Sequence, residues 1–273
     1  MPSAVSHNID DYESLLVALQ NVLGVVVPEA QRSCLVERVE PLLSSYQLDS
    51  LASLAESLQA GQPDELRSSV LEAISQRQSD WILSPLMLNV LHKYVFEQLP
   101  ENARIWVVGC GQGQLAYAMA MEIAEYENNS GEVKKFQLLA SDSSEKDIEQ
   151  ANTAVYSRQQ VLELNERYKN LYTTVDSAGD SWSIKDKIRQ NVHFSQCDLT
   201  ADFQSMAEMD LIICPEVLVY YSNGVKAGIL QQFSSLLKSG GIFLTGNNQA
   251  VTPLTEGFER VEHPAGVFYR QKN

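Results

Sequence analysis

The fold is decided by the stretch Arg104-Ile105-Trp106-Val107-Val108-Gly109-Cys110-Gly111-Gln112-Gly113. A short apolar run leads directly into three closely spaced glycines, and apolar residues then recur at helical spacing over residues 115–123. Glycine lets a backbone turn sharply and approach a ligand that any side chain would obstruct. The order strand, turn and helix therefore predicts a nucleoside-binding loop at Gly109, Gly111 and Gly113, and a tight turn that holds no ligand is the alternative.

Downstream of Pro100, short apolar runs alternate with helical stretches, which predicts a mostly parallel sheet covered by helices. Further strands are expected at residues 136–140, 192–194, 209–213 and 242–245. Two alternating runs, 258–262 and 267–270, predict an antiparallel terminal hairpin. That ending is typical of the sheet of S-adenosylmethionine (SAM) dependent methyltransferases, whereas a plain dinucleotide-binding fold ends on another parallel unit.

Upstream of residue 99 the apolar residues recur at helical spacing, so we expect an all-helical domain over 1–98 and an α/β domain over 99–273. Helix breaks are predicted at Gly24 with Pro28, at Pro41 and at Gly61-Gln62-Pro63. The stretch 156–188, between the second and third predicted strands, is interpreted as a helical insertion that ends in a polar loop.

Composition excludes several classes of protein. The chain has 273 residues, 44% hydrophobic, and its net charge of −15 argues against binding to nucleic acid, which requires clustered Lys and Arg. The four cysteines lack short paired spacings and the four histidines are scattered, so we expect free thiols and no metal site. With no apolar run of membrane-spanning length and no signal sequence, we expect a cytoplasmic protein without membrane insertion.

Polar residues follow several of the predicted strands. Asp142 ends the second strand, where it can accept both hydroxyls of a ribose, although an N-cap of the next helix is the alternative. After the third strand, Asp198 can bond an adenine amino group while Leu199 packs on the ring, and a turn role for Asp198 is an equal alternative. After the fourth strand, Tyr220 is the candidate for the methyl-transfer site, although an aromatic residue there is more often part of a core.

These segments, in this order, resemble the CheR family of chemotaxis-receptor methyltransferases over nearly the whole chain. The similar stretches are Gly24-Val25-Val26-Val27, Tyr46-Gln47-Leu48-Asp49-Ser50, Arg104-Ile105-Trp106, Ala140-Ser141-Asp142, Ala151-Asn152-Thr153-Ala154-Val155-Tyr156, 194–199, 212–221 and 236–241. The resemblance implies a class I methyltransferase domain behind a small helical domain, with SAM as cofactor and S-adenosylhomocysteine (SAH) as product. It also implies a protein-glutamate O-methyltransferase that acts on a chemoreceptor-like or other signalling protein.

The chain departs from the family pattern at cofactor and catalytic positions. An aromatic pair followed by an Arg that reaches the cofactor corresponds here to Trp81-Ile82-Leu83, and two glutamates after the glycine turn correspond to Gln114 and Leu115. Further changed stretches are Cys214-Pro215-Glu216 and Gly246-Asn247-Asn248-Gln249. We expect Gln114 to keep a hydrogen bond to the cofactor and Glu216 to compensate for the lost acid.

The predicted substrate surface also differs from that of the family. The family binds acidic receptor helices with a basic helix. The corresponding stretch here, 32–46, contains Arg32 and Arg38 but also Glu37 and Glu40. Two functions therefore stay open at this point. The first is an active carboxyl methyltransferase, and the second is a catalytically degenerate relative that binds SAM, SAH or a protein partner as a regulatory module.

Overall fold

The computed structural model describes residues 9–27, 29, 32–75, 81, 83–215, 217–246, 251 and 253–272. The chain divides into two compact units. Unit 1 comprises Met1–Arg77 and Val219–Lys226, and unit 2 comprises Gln78–Leu218 and Ala227–Asn273. None of the helices in the described part of the chain combines the length and apolar character needed to cross a membrane.

Unit 1 contains the helices α1 (Ile9–Leu23), α2 (Arg32–Ser45), α3 (Leu51–Ala60) and α4 (Asp64–Ser75). Each turns an apolar stripe towards a common core, as the 3.6-residue spacing predicts. That core includes Leu15, Leu19, Leu35, Val39, Leu54, Leu58, Leu66 and Val70. The predicted break at Pro41 is wrong, because α2 continues through Pro41 to Ser45. Packing of Leu35, Val39 and Leu43 along one side of α2 outweighs the backbone hydrogen bond that proline removes.

Unit 2 is built on a sheet of mixed direction. Its strands are β1 (Arg104–Val108), β2 (Gln137–Asp142), β6 (Val192–Gln196), β7 (Met209–Cys214), β8 (Leu237–Thr245), β9 (Phe258–His263) and β10 (Gly266–Gln271). Among the described residues they form one seven-stranded sheet in the order β6-β2-β1-β7-β8-β10-β9. The first five are parallel, and β10 runs antiparallel to both β8 and β9. This arrangement confirms the predicted methyltransferase-type sheet with its terminal hairpin.

The central strands β1 and β7 are mostly apolar because both of their faces are covered. Every residue of β7 is buried, as are four of the five in β1. The helices of unit 2 are α5 (Pro85–Val90), α6 (Phe96–Gln98), α7 (Gln114–Ser130), α8 (Glu145–Thr153), α9 (Glu166–Tyr172), α10 (Asp186–Arg189) and α11 (Asn223–Leu236), whose first residues fall in unit 1. A π-helical turn, Leu91–Val95, joins α5 to α6.

The stretch between β2 and β6 differs from the expected helical insertion. It carries α9 and α10 but also three strands, β3 (Val155–Ser157), β4 (Thr173–Val175) and β5 (Ser181–Ile184). In the described residues these form a small antiparallel sheet in the order β3-β5-β4. The polar run 176–180 is the turn between β4 and β5, and Gly179 adopts a positive φ of 79° in it.

The division into units differs from the expected boundary at residue 99. Residues 83–98 group with the sheet because α5 packs on β10: Asn89 Nδ2 donates to Ala265 O at 2.6 Å. Conversely, Val219–Lys226 groups with the helices. There Val26 N donates to Tyr220 O at 2.7 Å and Ser222 N donates to Gly24 O at 2.7 Å, which ties the segment to the end of α1.

Candidate cofactor site

The glycine turn is fixed to the end of β2 by backbone hydrogen bonds. Gly109 N and Cys110 N both donate to Ser141 O, at 2.8 and 3.0 Å. Gly109 has a φ of +70°, and a Cβ atom on it would lie 2.1 Å from Cγ2 of Val217. A side chain is therefore excluded there both by backbone conformation and by space.

Asp142 lies at the carboxyl end of β2, where it holds the turn through its side chain. Its Oδ2 accepts the N–H of Gly111 at 2.9 Å, and its Oδ1 accepts the N–H of Ser144 at 3.2 Å. The N-cap of α8 is Ser144, whose hydroxyl oxygen accepts Asp147 N, so the alternative role of Asp142 as that cap is wrong. Both carboxylate oxygens keep lone pairs for further donors.

Gln114 begins α7 directly after the turn, and its side chain is only 2% exposed. Its Oε1 is buried, and no described residue donates a hydrogen bond to it. A buried carbonyl oxygen without a donor costs free energy in the ligand-free protein. A ligand that donates an N–H group to Gln114 Oε1 would therefore be stabilised at this position.

The predicted adenine contacts lie in the turn after β6. Asp198 Oδ1 accepts both the backbone N–H and the hydroxyl of Thr200, each at 2.8 Å, which makes Asp198 a turn residue. Its neighbour Leu199 is buried. The turn role of Asp198 is thus observed, and its role towards adenine stays a prediction.

Two predicted residues follow β7. Glu216 lies outside the described residues. Tyr220 lies in a 3₁₀ turn, and its buried ring packs with the apolar core of unit 1, in line with the alternative that the sequence left open. Its role in methyl transfer stays a prediction.

Leu83 stands where the family has the arginine that reaches the cofactor, and Leu115 stands where it has a glutamate. Leu83 and Trp81 are each only 4% exposed and belong to the main core of unit 2, and Leu115 packs against that core. A charge-assisted contact from position 83 is therefore absent.

The sequence did not indicate the residues that hold the glycine turn through hydrogen bonds to Gln112. Tyr156 Oη donates to Gln112 O at 2.8 Å, and Gln160 Nε2 donates to Gln112 Oε1 at 2.8 Å. Asp147 also bonds the Gln112 side chain. Burial raises the pKa of the Asp147 carboxyl, and the bond from Gln112 partly offsets that rise. These contacts join segments that are distant in the chain. The sequence signal at this place is the family-like stretch that ends at Tyr156.

The thiols near this edge are held in their neutral form. Burial raises the pKa of Cys110 well above its usual value, and the nearby Asp142 carboxylate adds to the effect. Burial likewise raises the pKa of Cys197 to about 11. Neutral thiols are poor nucleophiles and poor metal ligands. In the described residues, no group of three His, Cys, Asp or Glu side chains is placed to hold a metal ion.

Together these features fit SAM. Asp142 offers acceptors for a ribose beside the glycine turn, and the buried Gln114 oxygen has no donor among the described residues. SAM carries ribose hydroxyls and an ammonium group that can supply such donors.

The chain is similar over nearly its whole length to two chemotaxis protein methyltransferases. The chain is 27% identical to the chemotaxis protein methyltransferase of Vibrio parahaemolyticus, covering 99% of this chain and 100% of that one. It is 28% identical to chemotaxis protein methyltransferase 1 of Pseudomonas aeruginosa, covering 96% and 98%. Among solved structures, a TehB-like SAM-dependent methyltransferase from Corynebacterium glutamicum is 15% identical with a TM-score of 0.41, covering 79% of this chain and 99% of that one.

The family model for the SAM-binding domain of CheR methyltransferases matches residues 77–267. That match covers well over half of the chain. The protein belongs to the CheR methyltransferase family and is a CheR-like, SAM-dependent methyltransferase.

Proposed function

We propose that the protein transfers the methyl group of SAM to glutamate carboxylates of a chemoreceptor-like or other signalling protein. The observation that carries the proposal is the Asp142 carboxylate, which accepts the Gly111 N–H beside the glycine turn and keeps lone pairs for a ribose. The relatives named chemotaxis protein methyltransferase support a chemoreceptor-like substrate.

The chain's own residues would bind and orient the reactants. We expect the turn with Gly109, Gly111 and Gly113 to bring its backbone to the cofactor, and Gln114 to accept from the ammonium group of SAM. In this proposal Asp198 and Leu199 hold the adenine, Glu216 compensates for the acid that is missing after the glycine turn, and Tyr220 serves the methyl-transfer step. SAM supplies an electrophilic methyl group on its sulfonium sulfur.

No general base is required in this reaction, because the substrate carboxylate is already an anion. Catalysis would come from holding the carboxylate in line with the methyl group and from excluding water. Loss of several polar residues relative to the family is therefore less damaging than it would be in an enzyme that transfers protons.

The test uses the full chain, tritiated SAM and purified cytoplasmic fragments of chemoreceptors. We expect label on the receptor that is released as methanol by alkali, because carboxyl methyl esters are labile to base and methylated amines are not. A receptor fragment with its methylated glutamates changed to Ala is the matched control. Label that resists alkali, or no label from a chain shown to bind SAH, would refute the proposal.

A second candidate is a CheR-like protein that binds SAM or SAH without transferring a methyl group. The observation that favours it is Leu83, buried in the core at the position where the family places an arginine. Calorimetric titration separates the two candidates, because this second function predicts SAH binding without transfer to any receptor fragment.

A further inference from the structure

A chain of side-chain hydrogen bonds holds the glycine turn of unit 2, in addition to the contact from Asp142. Gln160 Oε1 accepts both the N–H and the hydroxyl of Ser157, at 2.9 and 3.0 Å, which fixes the orientation of the Gln160 amide. Its Nε2 then donates to Gln112 Oε1 at 2.8 Å. The Gln112 side chain also bonds the carboxylate of Asp147, at the start of α8.

Donors and acceptors match along this whole chain. The Gln112 amide accepts through its oxygen from Gln160, which leaves its nitrogen to donate to Asp147. A side-chain amide with both ends engaged has one fixed orientation. The backbone that carries Gln112 is held at the same residue.

Tyr156 supplies that backbone contact. Its Oη donates to Gln112 O at 2.8 Å. A Cβ atom on Gly113 would lie only 3.0 Å from this Tyr156 Oη. The ring is fully buried, with Trp81 against it edge-on at a centroid distance of 4.9 Å. The indole N–H of Trp81 donates to Gln160 O at 2.7 Å, so the two residues that hold the turn are themselves held by one side chain.

We propose that Tyr156 and Gln160 are positioning residues of the cofactor-binding turn, which fix Gln112 before SAM arrives. Both lie in the insertion that carries the small sheet, whereas the turn belongs to the main sheet. A turn already held in its bound conformation loses less conformational freedom on binding, which strengthens affinity without any contact to the ligand. This inference rests on the cofactor site proposed above.

The test measures two quantities in the full chain: amide hydrogen exchange over residues 111–115 without ligand, and SAH affinity by calorimetry. We expect Tyr156→Phe and Gln160→Ala each to accelerate exchange in the turn and to raise the dissociation constant for SAH about 2- to 10-fold, the effect of one hydrogen bond. Gln160→Ala should lose its effect in a Gln112→Ala background, because the two side chains act through one bond.

Matched controls remove equivalent bonds elsewhere. Tyr46→Phe removes the hydroxyl bond to Ser69 in unit 1, and Gln150→Ala removes a bond to Val155 O at the start of β3. Neither should change exchange in the turn or SAH affinity.

Three outcomes would overturn the inference. Unchanged exchange in both variants, with normal SAH binding by the unaltered chain, refutes the positioning role alone. Faster exchange with unchanged affinity, or additive effects of Gln112→Ala and Gln160→Ala, refutes the link to cofactor binding. Absence of SAH binding to the unaltered chain refutes the proposed function, and the exchange data then show separately whether the turn is held.

Discussion

The hydroxyl of Tyr172 donates to Oε1 of Glu125 at 2.5 Å, and this bond joins the inserted helix α9 to α7, the helix that follows the glycine turn. Glu125 is only 3% exposed. The Arg167 guanidinium lies 2.5 Å from the other carboxylate oxygen, as an ion pair without hydrogen-bond geometry. The buried carboxylate therefore depends on Tyr172 for its directed hydrogen bond.

Tyr172→Phe should lower the free energy of unfolding by about 1.5–3 kcal/mol, because a bond to a buried charged group is lost while the charge stays. Urea unfolding followed by circular dichroism measures the change. Tyr46→Phe, which removes a neutral, partly buried bond to Ser69, is the comparison and should cost less. A smaller loss for Tyr172→Phe than for Tyr46→Phe would contradict the importance of this contact.

Stability should fall at alkaline pH because buried tyrosines keep their protons in the folded state. Burial raises the pKa of Tyr117 to about 12, and it also raises the pKa of Tyr156, Tyr168 and Tyr172. In the unfolded chain these groups ionise near pH 10. The unfolded state then binds fewer protons than the folded state, so stability decreases as pH rises from about 10 towards 12.

Unfolding by urea at pH 8, 10 and 11 tests this dependence. The slope should approach about 1.4 kcal/mol per pH unit for each such tyrosine, and Tyr117→Phe should make the curve less steep. A flat profile over this range, or equal slopes for the two proteins, would show that these hydroxyls ionise normally in the folded protein.

Gly113→Ala should destabilise the protein more than Gly179→Ala. Both glycines have positive φ, 94° and 79°, so both changes strain the backbone. A Cβ atom on Gly113 would also lie 2.9 Å from Cβ of Ala151, whereas nothing lies within 4 Å of one on Gly179. We expect about 1 kcal/mol for Gly179→Ala and about 2–4 kcal/mol for Gly113→Ala. Equal losses in thermal unfolding would mean that the close approach contributes nothing.

Gln114→Met should stabilise the ligand-free protein and weaken cofactor binding. The change keeps the volume of the side chain and removes a buried oxygen that lacks a donor among the described residues. We expect a gain of about 1 kcal/mol in unfolding free energy and a roughly tenfold weaker affinity for SAH. A loss of stability, or SAH binding as tight as before, would show that the oxygen is satisfied in another way.

Asp142→Ala should reduce SAH affinity at least tenfold, because acceptors for the ribose and the bond to Gly111 are lost together. Calorimetry gives the affinity. The matched control is Asp176→Ala: Asp176 also accepts two backbone N–H groups, but in the β4–β5 turn, and its removal should leave SAH affinity unchanged. If the two variants bind SAH equally well, Asp142 has no role in the site.

The main sheet could be predicted because its central strands are mostly apolar and its last two strands alternate around a turn. Short, mostly apolar runs such as β1 and β7 are typical of buried strands. The glycine turn after β1 identifies that strand as the first of the sheet. The small sheet could not be predicted, since β3 and β4 are three residues long and partly polar. Their pairing depends on β5, which lies between them in space but after both in the chain.

Some residues of the candidate site could likewise be predicted from the sequence, and others could not. Asp142 and the glycines could be predicted because each follows a strand, and the neighbouring parallel strands β1 and β2 end at the same edge of the sheet. Tyr156, Gln160 and Trp81 could not, because they meet Gln112 only after the insertion has folded onto the turn. For Tyr220 the sequence predicted the position after β7 but not the surroundings of the side chain. Its ring packs with the apolar core of unit 1.

The grouping of Val219–Lys226 with the helical unit has a consequence for recombination between relatives. A crossover anywhere between residues 78 and 218 would join the helices of one parent to the other parent's version of this segment. The bridge between Val25 and Tyr221 would then form between residues that had never been selected together. Functional chimeras in this family should therefore require two exchanges, one at the start of the chain and a second, eight-residue exchange far downstream.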